Sequence, residues 1–178
     1  VGGTLKIAGK ALHPQTPIDA IKSGIVLVPE DRKQHGLILE MSVRENASLP
    51  RLRVDQKVGA IDFGAEIAVA ADMVKKMDIR TPGLEQVVQY LSGGNQQKVV
   101  LGKWLAMKPR LLLLDEPTRG IDVGSKQEIY RLMEELAASG VAILFVSSEM
   151  EEVLGMADRA LVMHEGVITG ELARDQLN

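Results

Sequence analysis

The sequence contains no cysteine, few aromatic residues and no long apolar run, and each absence argues against a class of protein or site. Without cysteine the chain can form neither a disulfide framework nor a thiolate metal site. The absence of cysteine is compatible with a reducing compartment. Aromatic residues make up only 3% of the chain, which argues against a surface that stacks nucleic-acid bases. No apolar stretch approaches the roughly 20 residues of a transmembrane helix, and no signal peptide is recognisable.

Basic charge is also limited. Lysine and arginine total 21 against 24 aspartate and glutamate residues, for a formal net charge of −3, and no strongly basic run is present. A nucleic-acid partner is therefore not indicated. The 178 residues are 46% hydrophobic, enough to bury a core as one domain or part of one. Because the sequence starts with Val1-Gly2-Gly3 and not with methionine, we expect a piece of a longer protein.

Apolar runs alternate with amphipathic segments, which predicts an α/β fold with mostly parallel strands. Buried strands are predicted at 25–28, 111–114 and 141–146, and hairpin strands at 4–8 and at 160–163 with 167–168. Residues 31–90 look helical, and one amphipathic face is predicted to consist of Ile67, Ala70, Ala71, Val74 and Met77. Capping residues are predicted to open helices at Thr16, Ser42, Ser125 and Ser148, the last three within capping boxes.

The strand predicted at 111–114 stops abruptly at Asp115-Glu116-Pro117. In an open parallel sheet ligands bind at the carboxyl ends of the strands, so these two carboxylates are predicted to lie at a ligand-binding position. The pleat sends neighbouring side chains in different directions. One carboxylate can therefore hold a magnesium ion, directly or through water, while the other faces an attacking water, as nucleotide hydrolysis requires.

Ser92-Gly93-Gly94 precedes a helix predicted at about 95–107, with Ser92 as its N-cap. The free N–H groups and the positive dipole end of a helix favour a phosphate, and glycine lets it approach the backbone closely. Ser-Gly-Gly alone is also a common turn and helix start. The neighbouring Gln96-Gln97-Lys98 and the strand ending in Asp-Glu-Pro favour the anion site.

These motifs together resemble the ATP-binding cassette (ABC) family, whose signature is usually LSGGQ and whose Walker B strand ends in Asp-Glu-Pro. Asn95 stands where Gln is commonest. The resemblance covers nearly the whole chain, through the segments VPEDRKQHGL, MSVRENASL, LSGGNQQKV, LLLLDEPTRGIDVG and FVSSEMEEVLGMADRALVMHEG. Together they look like the second cassette of the two-cassette ATPase subunit of ribose-type sugar importers.

The resemblance implies a P-loop NTPase-type α/β fold, with a mostly parallel sheet, flanking helices and an inserted helical subdomain. Residues 1–178 would be a partial ATP-binding domain, with about 1–30 and 108–178 as the α/β core and about 31–107 as the helical subdomain that carries the signature. The phosphate-loop strand would precede this chain, because nothing here matches the Walker A pattern G-x-x-x-x-G-K-[ST]. Gly120 to Lys126 has a shorter spacing and is interpreted as the loop after Walker B.

The resemblance also implies residue roles, with ATP and Mg²⁺ as cofactors. Asp115 would bind the metal and Glu116 would act in catalysis. Cassettes of this family work head to tail, so the signature would contact a nucleotide held mainly by a partner cassette, and the loop after Walker B would help to join the two sites. The nucleotide-binding residues implied are Ser92, Gly93, Gly94, Asn95, Asp122, Ser148 and Glu30.

Besides Asn95, two of these positions depart from the family pattern. Glu30 follows the strand predicted at 25–28, where the family usually has a glutamine that reaches the metal and senses the γ-phosphate. A carboxylate there could ligate magnesium but adds negative charge beside a triphosphate, and the alternative is a solvated acidic strand end. Ser148 stands where many cassettes place a histidine. The histidines present, His13, His35 and His164, are interpreted as surface or turn residues.

The implied partners are a second cassette in the same full-length chain, transmembrane permease subunits and, indirectly, a solute-binding protein. The implied location is cytoplasmic, peripheral on the inner face of the cell membrane. Two alternatives stay open: a soluble cassette that acts in translation or DNA maintenance, and a regulatory cassette that binds nucleotide without turnover. Without the strand that leads into the phosphate loop, the fragment is expected to self-associate and to have negligible ATPase activity.

Residues 32–50 are expected to lie nearest the transmembrane partner. For single basic side chains in and near this segment, an ordinary solvated face is the preferred interpretation. The residues concerned are Arg32, Lys33, Arg44, Arg51 and Arg53.

Overall fold

The computed structural model describes residues 3–56 and 60–177. The expectation drawn from Val1 and Gly2 and the interpretation of the Arg53 side chain lie outside this described part. The chain divides into two compact units, one up to Phe145 and one from Val146 onward. The division into an α/β core and a helical subdomain stays a prediction.

The first unit alternates strands with helices, and most of its helices lie between two paired strands. A hairpin comes first, with turn residues Ala8 and Gly9 at φ 47° and 78°. The strands are β1 (Leu5–Ile7), β2 (Lys10–Leu12), β3 (Ile25–Val28), β4 (Leu111–Asp115) and β5 (Ala142–Val146). The helices are α1 (Pro17–Lys22), α2 (Val43–Ser48), α3 (Leu52–Asp55), α4 (Phe63–Lys76), α5 (Gly93–Leu105) and α6 (Val123–Ala138), with a π-helical turn at Arg32–Gly36 and 3₁₀ turns at Leu49–Arg51 and Val88–Tyr90.

The central sheet has the strand order β3-β4-β5. Strands β3 and β4 are parallel, with Ile25 opposite Leu111 and Val28 opposite Leu114. Their carboxyl ends therefore lie at one edge of the sheet. Parallel strands combined with helices confirm the predicted α/β class.

Only one face of the β3-β4 pair is fully buried. Val28 and Leu112 are 0% exposed, whereas Leu27 on the other face is 52% exposed. The prediction that these strands are buried on both faces therefore holds for one face. The predicted buried strand at 141–146 is wrong in its burial, because β5 forms but Leu144 is 56% exposed. An apolar run predicts a strand but does not encode which faces other elements cover, and the Leu144 side chain of β5 is left exposed.

The buried face of α4 differs from the predicted one. Ala70 and Met77 are buried as expected, and Met73 is buried with them. Ile67, however, is 49% exposed, Ala71 is exposed as well, and the buried residue one position before Ile67 is Glu66, at 5%. Glu66 can be buried because Arg44 forms an ion pair with one of its oxygens and Ser48 Oγ donates to the other at 2.7 Å. This polar contact between α2 and α4 fixes which side of α4 faces inward.

Helix caps explain where most helices begin. Thr16 caps α1 and Ser42 caps α2, as expected. Ser42 forms its predicted capping box with Glu45, and Thr16 also forms one, with Asp19, that was not predicted. The predicted boxes at Ser125 and Ser148 are wrong. Helix α6 begins earlier, with Asp122 as N-cap, and Ser125 lies inside it.

Basic side chains of the helical region are mostly engaged in contacts. The solvated-face interpretation is wrong for Arg44, which pairs with Glu66 and with Glu85 and whose side chain is 16% exposed. It is also wrong for Arg51, which pairs with Asp55 at 2.7 Å and is 28% exposed. Lys33 is exposed, as interpreted.

Helix α5 is the most buried helix of the first unit, and it carries a buried lysine. Val99, Val100 and Leu101 are 0% exposed, and Lys103 is 6% exposed. The Lys103 ammonium donates to the carbonyl of Gly36 in the π-helical turn and lies 5.5 Å from the centre of the Trp104 ring. Burial lowers the pKa of Lys103 to about 8.

This pKa predicts a specific pH dependence of stability. Since the pKa is lower in the fold than in the unfolded chain, the unfolded chain binds more protons between about pH 8 and 10.5. The free energy of unfolding should therefore rise across this window, by up to about 3 kcal/mol. Lys103→Met, which has similar bulk and no titratable group, should lack this rise. Chemical denaturation at each pH measures the difference between the two proteins, and parallel curves would contradict the prediction.

The second unit begins at Val146, the last residue of β5, and continues with α7 (Met150–Met156), β6 (Arg159–His164), β7 (Val167–Ala173) and a 3₁₀ turn at Arg174–Gln176. Helix α7 has Glu149 as N-cap without a side-chain cap bond, so Ser148 does not open it. The predicted hairpin is confirmed: β6 and β7 are antiparallel and joined by Glu165 and Gly166 at φ 49° and 78°. Arg174 donates to the carbonyls of Leu154 and Ala157 at the end of α7.

The three histidines are exposed, as interpreted. In the described part of the chain, no helix combines the length and apolar character that crossing a membrane requires.

Candidate functional site

The turn from Ser92 to Asn95 opens α5, and Ser92 is its N-cap as predicted. Ser92 Oγ accepts hydrogen bonds from the Asn95 backbone N–H at 3.4 Å and from Asn95 Nδ2 at 2.8 Å. The helix begins at Gly93 and ends at Leu105, two residues earlier at each end than predicted. Ser92 is exposed while Gly94 is buried. The Ser92–Asn95 turn thus presents the Ser92 hydroxyl to solvent at a helix N-terminus, where the first backbone N–H groups lack partners within the helix.

The N-termini of α5 and α6 lie against each other. A Cβ on Gly94 would be 2.5 Å from Ser125 Cβ, so only glycine fits this approach. Asp122, the N-cap of α6, accepts from Ser125 N at 2.9 Å and from Ser125 Oγ at 2.7 Å. The bond from the Ser125 backbone N–H is the main reason that the pKa of Asp122 is lowered. Asp122, predicted to bind nucleotide, therefore also caps α6 and holds the side chain of Ser125, the residue that Gly94 approaches.

Arg32 joins this turn to the loop after β4. Its Nη1 donates to the Arg119 carbonyl at 2.9 Å and its Nη2 to the Gly120 carbonyl at 3.1 Å. A Cβ on Gly93 would lie 2.9 Å from the same Nη2 atom. Burial lowers the pKa of Arg32. The solvated-face interpretation of Arg32 is wrong, because its guanidinium is half-buried between two loops.

The predicted catalytic pair lies at the carboxyl end of β4. Asp115 is the last residue of the strand, and Glu116 follows it with φ 47°, in the left-handed region. For a residue other than glycine this backbone costs about 1–2 kcal/mol, and such strain clusters at functional sites. Ala8, Asp78, Lys108 and Glu165 have the same backbone conformation, so φ alone does not assign Glu116 to a site.

Glu30 lies at the same edge of the sheet, two residues after β3. Arg119 forms an ion pair with Glu30. The Arg119 side chain is 66% exposed and the Glu30 side chain is 43% exposed. The pair offsets part of the negative charge that Glu30 brings to the edge. Its position, close to the ends of β3 and β4, is compatible with either interpretation of Glu30.

Contacts connect these residues into one site in the first unit. Glu30 pairs with Arg119, the Arg119 carbonyl accepts from Arg32, and Arg32 borders Gly93. Ser148 belongs to the second unit, where it is exposed between β5 and α7. Sequence reasoning gave no role in the site to Arg32, Arg119 or Ser125. Their contacts join segments far apart in the chain, and no spacing pattern signals them.

The residues present can hold magnesium together with nucleotide phosphates, and they can contact a phosphate group. Among the described residues, no three Asp, Glu or His side chains form a metal-binding group. Magnesium that is shared with nucleotide phosphates needs only one or two protein carboxylates, so Asp115 alone fits that role. The glycine backbone and exposed hydroxyl of the Ser92–Asn95 turn fit a phosphate oxygen.

Comparison with known proteins identifies relatives along almost the entire chain. A family model described as ABC transporter matches residues 1–119. The chain is 50% identical over 176 residues to a ribose import ATP-binding protein of Jannaschia sp. (strain CCS1), covering 99% of this chain and 34% of the relative. It is 51% identical over 174 residues to a xylose import ATP-binding protein of Geobacillus kaustophilus (strain HTA426), covering 98% and 34%. The chain thus spans about a third of the length of these relatives.

Solved structures share the fold at lower identity. A nucleotide-free ATP-binding cassette from an ABC transporter matches with a TM-score of 0.78 at 22% identity, over 93% of this chain and 67% of that chain. A dimeric ATP-binding cassette in a post-hydrolysis state, bound to ADP and Pi, matches with a TM-score of 0.77 at 22% identity, over 97% and 74%. The predicted fold is confirmed, and the chain belongs to the ABC transporter family, as an ABC ATPase cassette similar to sugar-import ATP-binding proteins.

Proposed function

We propose that this chain is part of an ATP-hydrolysing subunit that energises import of a ribose-like monosaccharide through an ABC transporter. The relatives named for ribose and xylose import, at 50% and 51% identity, support the solute class. The observation that carries the proposal is the connection, through Arg32, between the loop that follows Asp115 and Glu116 and the open end of α5. This joins a hydrolysis site to a phosphate-contacting turn.

Each residue has a separate role in this proposal. Asp115 holds magnesium, which when bound neutralises charge on the phosphates, and Glu116 orients and deprotonates water. Ser92, Gly93, Gly94 and Asn95 contact the phosphates of a nucleotide held mainly by a partner cassette. Asp122 joins the two sites, and Glu30 and Ser148 contact the nucleotide on this chain's own side.

The partners follow from the same proposal. They are a second cassette in the full-length chain, permease subunits and, indirectly, a solute-binding protein, with no nucleic acid. The subunit would lie on the cytoplasmic face of the membrane. The helical subdomain, about 31–107, would face the permease, and the isolated fragment would self-associate and lack activity.

A regulatory cassette without turnover is the second candidate. Glu30 favours it, because a carboxylate, paired with Arg119, stands at the strand end where the family usually has a neutral glutamine. The two candidates differ in whether Glu116 limits a measurable hydrolysis rate.

Glu116→Gln tests this difference in the full-length protein with its companion cassette inactivated. The amide cannot accept a proton from water, so kcat is expected to fall by about 100-fold or more while the Kd for ATP stays within about threefold. Steady-state ATPase assays and equilibrium nucleotide binding measure the two quantities.

Glu165→Gln is the matched control, because Glu165 also has a left-handed backbone, at φ 49°, and lies in the β6-β7 turn. It should leave both quantities unchanged. A hydrolysis rate that Glu116→Gln does not alter would favour the regulatory cassette.

A further inference from the structure

The chemistry of its neighbours fixes the orientation of the Asn95 side chain. Asn95 Oδ1 accepts a hydrogen bond from the backbone N–H of Arg80 at 2.8 Å. A backbone N–H can only donate, so the amide oxygen must face Arg80. The amide nitrogen is then left to donate to Ser92 Oγ, at 2.8 Å.

The Ser92 hydroxyl consequently has only its hydrogen left for a further hydrogen bond. A hydroxyl oxygen carries two lone pairs and one hydrogen. The two N–H groups of Asn95, from its side chain and its backbone, both donate to Ser92 Oγ. Because both lone pairs are engaged, the hydrogen points away from these donors. Ser92 is exposed, so this hydrogen is available to an acceptor at the N-terminus of α5.

The segment that supplies the Arg80 N–H is itself held in place. The Arg80 guanidinium pairs with Glu128 of α6 at 2.9 Å. Lys98 of α5, which is 3% exposed, donates to the Asp78 carbonyl at 2.8 Å and pairs with Glu128 at 2.8 Å. Contacts from two helices therefore fix residues 78–80, and with them the donor that orients Asn95.

We propose that Asn95 is a positioning residue that makes the Ser92 hydroxyl a dedicated donor to the terminal phosphate of a nucleoside triphosphate. The role rests on the proposed function of the Ser92–Asn95 turn. A side chain that accepts from Ser92 would take the hydroxyl hydrogen for itself. The hydroxyl would then present lone pairs to an anion, and phosphate binding would weaken.

Asn95→Asp makes this change with little change in shape. One carboxylate oxygen can still accept from Arg80 N–H, and negative charge in the first turn of a helix is favourable, so the fold is retained. The other oxygen can only accept, so Ser92 must donate to it. In the full-length protein, equilibrium binding of a non-hydrolysable ATP analogue is expected to weaken by at least about tenfold. The unfolding temperature without nucleotide should not change.

Three control variants separate the orientation of the hydroxyl from added charge. In a Ser92→Ala background, Asn95→Asp should cause no further loss, because no hydroxyl remains to be reoriented. Gln89→Glu places a carboxylate on an exposed residue three positions before Ser92 and should bind the analogue like the wild type. Asn95→Ala leaves the hydroxyl hydrogen free and should weaken binding less than Asn95→Asp.

The outcomes distinguish this role from the proposed function. If Asn95→Asp weakens binding equally with and without the Ser92 hydroxyl, the effect is charge repulsion and the positioning role is wrong. The role is also wrong if Ser92→Ala binds weakly while Asn95→Asp binds like the wild type. If Ser92→Ala itself binds like the wild type, the proposed function of the turn fails, and the positioning role with it.

Discussion

Gly93→Asp is expected to abolish ATP hydrolysis and transport in the full-length protein, while nucleotide binding to the companion cassette is weakened but not lost. A Cβ on Gly93 would lie 2.9 Å from Arg32 Nη2 and 3.4 Å from the Gly120 carbonyl. The new carboxylate would therefore pair with Arg32 and take the position that the proposed function gives to a phosphate. Loss of such preorganised donors reduces kcat by about 100-fold or more.

Gly83→Asp is the matched control for added charge in the same region of the chain. A Cβ on Gly83 would have no heavy atom within 4 Å, and the residue is exposed. This variant should hydrolyse ATP and transport normally. If Gly93→Asp also does so, the Ser92–Asn95 turn does not act on a nucleotide held by the partner cassette.

The parts of the site that depend on local chemistry could be predicted from the sequence. Ser92 caps α5, as a serine followed by glycines predicts, and β4 ends at Asp115, where the apolar run stops. Both signals act within a few residues of the chain and can therefore be read from the sequence. The same holds for the capping box at Ser42 and for the β6-β7 turn at Glu165 and Gly166.

Local patterns mislead where a distant polar partner decides burial. The periodicity of α4 placed Ile67 on the buried face, whereas Glu66 is buried because Arg44 and Ser48, both on α2, satisfy its carboxylate.

The start of α6 was mispredicted because two capping residues lie close together in the sequence. The Ser-x-x-Glu pattern predicted Ser125 as the cap, but Asp122 accepts from both the backbone N–H and the hydroxyl of Ser125 and is the N-cap.

The contacts that assemble the site could not be predicted from spacing at all. Arg32 donates to carbonyls 87 and 88 residues further along the chain. A backbone carbonyl is present at every residue, so no sequence pattern marks the ones that Arg32 will meet. The exposure of Leu27 and Leu144 likewise depends on which faces of the strands other elements cover, which an apolar run does not encode.

The approach of α5 to α6 predicts an unusual result for Gly94→Ala. In a helix, alanine is normally more favourable than glycine by about 0.5–1 kcal/mol. Here the added Cβ would lie 2.5 Å from Ser125 Cβ, which belongs to the helix and cannot rotate away. Overpacking of this kind costs about 1–3 kcal/mol, so the clash exceeds the gain in helix propensity. Chemical denaturation should therefore show Gly94→Ala to be destabilised by about 2 kcal/mol.

Ser125→Gly provides the decisive second variant, because it removes the atoms that Gly94→Ala would meet. Asp122 then loses the bond from the Ser125 hydroxyl but can keep the bond from the backbone N–H. In this background Gly94→Ala should become neutral or stabilising, a reversal of sign that only a direct contact between the two positions explains. Gly155→Ala, in a helix where a Cβ has no heavy atom within 4 Å, should stabilise in either background. Equal losses from Gly94→Ala with and without the Ser125 side chain would show that the two helix ends are not in contact.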